Sequence, residues 1–222
     1  MNKSKFGLTA THLRILALFL MLLDHLWGTV VPGNDWMTYL GRMAFPIFAF
    51  QAAEGYHHTH NFKEYCKRLL IFAAVSEIPF NLMITGSPIF PFHQNVMLTL
   101  LLGLLACKAW DQRKWWQLAL IWLAGILTFP DYGALGVASV LMFHVFRGQK
   151  WWQPVFLVLI NWFGYEGQQL LIGSFEFPVQ AFAIGAFLPI SLYNGEKGSG
   201  GKALQYGSYA FYPIHMLILG LM

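Results

Sequence analysis

Thirteen of the fourteen Lys and Arg residues fall in five short clusters separated by long apolar runs, and that spacing narrows what this chain can fold into. The clusters are Lys3, Lys5 and Arg14; Lys63, Lys67 and Arg68; Lys108, Arg113 and Lys114; Arg147 and Lys150; and Lys197 and Lys202. Helices that cross a bilayer in pairs return their basic loops to the cytoplasmic side each time. The remaining cation, Arg42, lies inside an apolar run. A cation at that depth is costly unless it is paired or functional, so Arg42 marks where function is to be sought.

Composition agrees with a membrane setting. The chain is 57% hydrophobic and only 11% charged, with a mean hydropathy of +0.51, whereas soluble domains carry about 25% charged residues. The formal net charge of +4 resides in the expected cytoplasmic loops, which argues against nucleic acid as a partner. Cys66 and Cys107 stand beside basic clusters, on the expected reducing side, so no disulfide is expected. No small-residue cleavage pattern follows Trp27, and the first apolar run reads as an uncleaved span.

Crossing the hydrocarbon core takes roughly 20 apolar residues. The candidate spans are 12–31, 37–57, 66–85, 94–110, 115–130, 132–147, 152–172, 177–194 and 205–222. The expected fold is therefore an all-α integral membrane protein of about nine transmembrane helices, a single polytopic domain over residues 1–222, with the N-terminus cytoplasmic and the C-terminus outside. The outer loops then hold Asp35, Asp131, Glu166 and Glu176 with no Lys or Arg. The echoed segments Lys114-Trp115-Trp116-Gln117 and Lys150-Trp151-Trp152-Gln153 read as interfacial anchors, and Gly195–Gly201 as a flexible cytoplasmic loop.

The polar residues inside the spans carry the chemistry. In the first span Arg14 stands at the cytoplasmic edge and Asp24-His25 lie deeper. Arg14 and His25 are eleven residues apart, which puts them on one helix face about 16 Å apart along the axis. Asp24 points about 100° away from His25 and is expected to pair with another helix, Arg42 being the candidate. The second span has Arg42 near its outer end, Glu54 near its inner end, and Pro46 placed to kink it. The third has Lys67 and Arg68 at its mouth, Glu77 at mid-depth, and Asn81, which interhelical hydrogen bonding explains. His57-His58-Thr59-His60-Asn61 reads as a solvated turn, since no acid or Cys stands in ligand register for a metal. Asp131-Tyr132-Gly133 reads as a turn former, and His144 as a lone structural histidine. For Asp24 and His25 helix glue and function stay equally open at this point. The chain has no GxSxG, P-loop or zinc spacing. An intramembrane His with acids and a basic cytoplasmic rim suits proton abstraction within the bilayer, with an anionic ligand docked from the cytoplasm.

Leu23-Asp24-His25, GRMAFPIFAF at 41–50, Glu54-Gly55-Tyr56, Asp131-Tyr132-Gly133 with Gly136, and FYPIHMLIL at 211–219 together resemble the TraX family, whose founding member acetylates F pilin. That family is similar to the acyltransferase-3 membrane enzymes, which carry Arg-x10-His in the first span, as Arg14…His25 does, and an arginine motif opening the third span, which Lys67-Arg68 matches in part. The resemblance implies a multi-pass acetyltransferase of the bacterial cytoplasmic membrane. It would move an acetyl group from cytoplasmic acetyl-CoA to an amine or hydroxyl of a pilin, a peptide N-terminus or a glycan. It implies His25 as general base, Asp24 orienting or balancing the imidazolium directly or through Arg42, and Arg14, Lys67 and Arg68 holding the CoA phosphates. Glu54, Glu77, Asp131, Tyr132, Tyr212 and His215 would line the substrate path, and no metal is expected. Two other readings compete: a small proton-coupled transporter, since buried His, Asp and Glu also make proton relays, and a non-catalytic assembly factor.

Overall fold

A computed structural model describes residues 6–149, 151–165 and 167–222. Lys3, Lys5, Lys150 and Glu166, named above, lie outside the described residues.

Helix α1 (Ala10–Thr29) begins at a reciprocal cap in which Thr9 accepts from the His12 N–H and the His12 ring accepts from the Thr9 N–H. Two more of its first-turn N–H groups, on Ala10 and Thr11, donate to the carbonyls of Glu196 and Lys197. The Thr11 hydroxyl donates to Ser199 O at 2.7 Å. The Gly- and Ser-rich segment expected to be a free loop is thus spent on the orphan donors that open α1.

The expected second span is two helices, α2 (Trp36–Gly41) and α3 (Ala44–His58), separated by a turn at Arg42–Met43. Pro46 falls in the first turn of α3, where its missing N–H would have had no helical partner. The interruption therefore lies at Arg42, upstream of the proline expected to cause it. Helix α4 (Phe62–Thr85) is capped by the Asn61 side chain and closed by Gly86 in the left-handed conformation. Next come α5 (Val96–Asp111), α6 (Trp115–Leu127) and α7 (Gly133–Val145).

The seventh and eighth expected spans fold differently. Helix α8 (Trp152–Val158) runs into a π-helical turn at Leu159–Phe163. An antiparallel hairpin follows, β1 (Gln169–Ile172) with β2 (Phe175–Pro178), then a 3-10 helix at Val179–Ala186, α9 (Phe187–Ser191) and α10 (Gly201–Gly220). Gly164, Gly167 and Gly173 and the amides of Gln168 and Gln169 interrupt the apolar run, and glycine costs a helix about 1 kcal/mol at each position. The fold is mostly helical rather than all-α. Among the described residues, α1 and α4 are long and apolar enough to cross a membrane.

Helix α10 packs on α4, α5 on α7, and α1 on α2 and α3, around a core that includes Leu13, Ile47, Leu104, Val140, Phe143 and Met216. The exterior is apolar as well. Helix α6 buries only Gly125 and exposes Trp116, Leu120, Leu123, Ile126 and Leu127. A helix facing water would carry charge there; an apolar exterior this wide needs an apolar phase or a partner to cover it.

Candidate functional site

Helix α1 supplies Asp24 and His25, and the α2–α3 turn supplies Arg42. The approach of α2 to α1 depends on Gly41: a Cβ there would stand 2.5 Å from the Asp24 Cβ. With no side chain in the way, the Thr38 hydroxyl donates to Asp24 Oδ1 at 2.6 Å, and Arg42 Nε donates to Thr38 Oγ1 at 3.2 Å. Arg42 Nη2 stands 3.7 Å from Asp24 Oδ1, so the two residues that the sequence pairs do meet. Thr38 was not singled out in the sequence; its signal was the i, i+4 spacing to Arg42.

His25 takes a partner from the far end of the chain. Its Nδ1 lies 2.7 Å from Nε2 of His215 on α10, and His215 Nδ1 lies 2.7 Å from the Phe211 carbonyl oxygen. Among the described residues Asp24 accepts its hydrogen bond from Thr38 and has its ion pair with Arg42, rather than bonding the imidazole beside it.

Asp24, His25 and Arg42 line a chamber of about 270 Å³ together with Trp27, Thr29, His93, Asp131, Tyr132 and Tyr212, whereas Thr38 and His215, the latter expected on the substrate path, are not among its lining residues. His93 stands at the outer opening of the fourth expected span. Its Nε2 is 3.4 Å from Asp131 Oδ1, and that carboxylate holds the imidazole above its ordinary titration range against the opposing effect of burial. The Asp131 backbone is fixed at both ends: its N–H donates to Gln94 O at 2.7 Å, and its carbonyl accepts from the Thr99 hydroxyl. Tyr132 starts α7 at φ +65°, a left-handed conformation that costs a non-glycine residue about 1–3 kcal/mol. Stacking on Phe45, with ring centroids 3.8 Å apart, holds it there.

Two further cavities adjoin this chamber through different walls. One, of about 90 Å³, is lined by Arg14, Tyr65, Gln205, Ser208 and Tyr209 and shares Met21, Phe48, Val96 and Tyr212 with the chamber. Arg68 stands beside it, 5.5 Å above the Tyr65 ring, with a buried Nε that finds no partner. Lys67 is exposed and lines none of the three cavities. The other cavity, of about 250 Å³, shares Arg42, Asp131 and Tyr132 with the chamber and continues under the β-hairpin to Tyr165, Gln168 and Gln180.

Other expected site residues are engaged elsewhere. Glu54 accepts from Arg147 Nε at 2.6 Å and Nη2 at 3.2 Å, and it lines none of the three cavities. Glu77 accepts from Asn95 Nδ2 at 2.6 Å and so ties α4 to the start of α5. Asn81 reaches the Pro88 carbonyl in the following loop rather than another helix. His144 is not solitary: Nδ1 is 3.1 Å from His57 Nε2, and Nε2 is 2.8 Å from Asp111 Oδ1.

A mostly helical protein with a histidine, an ion pair and a carboxylate around one chamber, and cavities opening on two of its walls, is the class that the geometry defines. The family description "TraX protein" matches residues 9–222, and the chain belongs to the TraX family. The chain is 27% identical over 237 residues, covering 95% of this chain and 94% of the other, to the "Probable fimbrial assembly protein FimC, serogroup H1" of Dichelobacter nodosus. No solved structure matches.

Proposed function

We propose that the protein is a multi-pass acetyltransferase of the bacterial cytoplasmic membrane, acting on an amine or hydroxyl of a pilin, another peptide or a glycan, with acetyl-CoA as donor. The observation that carries this reading is the placement of His25 in the chamber between two cavities of different character. The Arg14-lined cavity offers one cation at the expected cytoplasmic end, and the unpaired, buried Arg68 Nε beside it is a donor suited to a phosphate oxygen. The about 16 Å of helix between Arg14 and His25 is the order of length of a pantetheine arm. The hairpin-side cavity, lined with amides, is the path for the acceptor. Membership of the TraX family and likeness to a protein named for fimbrial assembly support a pilin-related role. The similarity to acyltransferase-3 enzymes, carried by Arg14…His25, belongs to the same reading.

In the reaction the acceptor nitrogen or oxygen attacks the thioester carbonyl carbon. The new bond to that carbon forms as the carbon–sulfur bond breaks. His25 takes the acceptor's proton, and the departing CoA thiolate receives a proton in return, so the site ends as it began. A base so placed contributes about 10²–10⁴-fold. Arg42, held against Asp24, presents positive charge where the carbonyl oxygen becomes negative. Among the cations, Arg14 and Arg68 serve the donor phosphates, with Lys67 at the rim.

The test compares wild type with His25→Ala and Arg14→Ala. Mass spectrometry of membrane proteins, surface proteins and glycans should find an acetyl group that is present with wild type and missing with His25→Ala. Acetyl-CoA should raise the Tm of purified wild type and of His25→Ala, and much less that of Arg14→Ala. Acetylation that persists in His25→Ala removes the base. A wild-type protein indifferent to acetyl-CoA, yet passing a solute in proteoliposomes, replaces transfer by transport.

A further inference from the structure

The residue that sets the proton order of His25 comes from α10. His215 Nδ1 lies 2.7 Å from the Phe211 carbonyl oxygen, and a carbonyl oxygen only accepts. His215 Nδ1 therefore carries a hydrogen. In the neutral ring Nε2 is then bare, and it lies 2.7 Å from His25 Nδ1. Two bare nitrogens do not approach so closely, so His25 Nδ1 carries the hydrogen and donates it. In a neutral His25 the remaining nitrogen, Nε2, is the bare one. It forms no hydrogen bond among the described residues, and His25 lines the chamber. The reverse order would set a bare His215 Nδ1 against the lone pairs of the Phe211 carbonyl.

The ring geometry agrees. The two imidazoles are nearly parallel, at 8°, with centroids 4.9 Å apart. A face-to-face stack is closer, and an in-plane N–H···N bond places imidazole centroids about 5 Å apart. The His215 ring is itself clamped, parallel to Phe211 with centroids 4.8 Å apart, and is only 5% exposed. Asp24, the acid adjacent in sequence, is occupied by Thr38 and Arg42.

We infer that Phe211 O, His215 and His25 form one ordered hydrogen-bond chain, in which His215 is the positioning residue that holds the basic Nε2 of His25 toward the chamber. It does for His25 what a carboxylate does for histidine in a catalytic triad, without adding a negative charge. When His25 gains a proton on Nε2, the Nδ1–H still points at a bare nitrogen, so the imidazolium keeps its hydrogen bond. This deepens the base assignment made for His25 and rests on it for its meaning in catalysis, whereas the proton order itself is a property of the resting protein.

Two measurements test it. The first is 15N NMR of the imidazole nitrogens in histidine-labelled protein in lipid nanodiscs at neutral pH, assigned with His25→Ala and His215→Gln. The expected spectrum has His25 and His215 both protonated on Nδ1 and bare on Nε2. A His25 protonated on Nε2 overturns the chain whether or not the protein transfers acetyl groups. The second compares His215→Gln, His215→Asn and His215→Leu for acetyl transfer and for acetyl-CoA KM. A Gln side-chain oxygen reaches the position of Nε2, whereas Asn reproduces only the place of Nδ1. Gln is expected to restore turnover to within about tenfold of wild type, and Asn and Leu to lose about 100-fold or more in kcat with KM unchanged. Equal loss in all three variants, or a loss that follows Tm rather than the acceptor atom, overturns the positioning role. Absent acetyl transfer in wild type, with the expected tautomers in place, refutes the proposed reaction and leaves the proton order standing.

Discussion

Asp131 stands in two walls at once, facing the chamber and the cavity under the hairpin, and His93 is the group bound to its carboxylate. Because that bond raises the folded-state pKa of His93, the stabilisation is fully present below the unfolded value of about 6.5 and is lost as pH rises through the folded value. The Tm gap between wild type and His93→Gln should therefore be widest near about pH 5.5 and narrow toward about pH 8.5. A gap that grows with pH would overturn the pairing. At this scale the sequence was uneven. Asp24 and Arg42 were legible as partners because a cation within an apolar run must find an acid. His144 was misread as lone, because its partners His57 and Asp111 lie 87 and 33 residues away. Nor did anything local in the sequence single out His215 as the partner of His25, 190 residues earlier.

Among the elements, α2 depends on a single residue for its approach to α1. Gly41 lies where a Cβ would meet the Asp24 Cβ at 2.5 Å, whereas around Gly28, on α1, nothing comes within 4 Å of such an atom. Gly41→Ala should cost about 1–3 kcal/mol, the usual penalty for overpacking. Gly28→Ala should be neutral or mildly stabilising, since alanine is the better helix former. Unfolding of both variants in detergent checks this, and equal stability would mean that α2 simply moves away. The element boundaries followed the apolar runs well for α1, α4 and α5, where 16 to 24 residues carry one consistent pattern. They failed over 152–194, where each short apolar stretch fits a strand, a 3-10 helix or an α-helix equally well and packing makes the choice.

For the whole molecule, sidedness sets which way the three cavities open. If the basic clusters lie inside, the Arg14 cavity opens toward the cytoplasm and the hairpin cavity away from it. In a Cys66→Ser background, where Cys107 stays buried, a membrane-impermeant maleimide should label Asn34→Cys in intact cells and Ser199→Cys only after permeabilisation. The opposite pattern would reverse donor and acceptor sides. The sequence by itself determined the apolar exterior and the need for a partner to Arg42, and it set the expected sidedness and the expected depth of Asp24 and His25. All of these follow from side-chain transfer energies and helix periodicity, which act along the chain. Tertiary structure alone decided that His25 meets His215, that Glu54 and Glu77 are engaged elsewhere, and that a hairpin roofs the third cavity. Each of these depends on groups far apart in the chain being packed to within hydrogen-bonding distance, and no local pattern encodes which distant groups will meet.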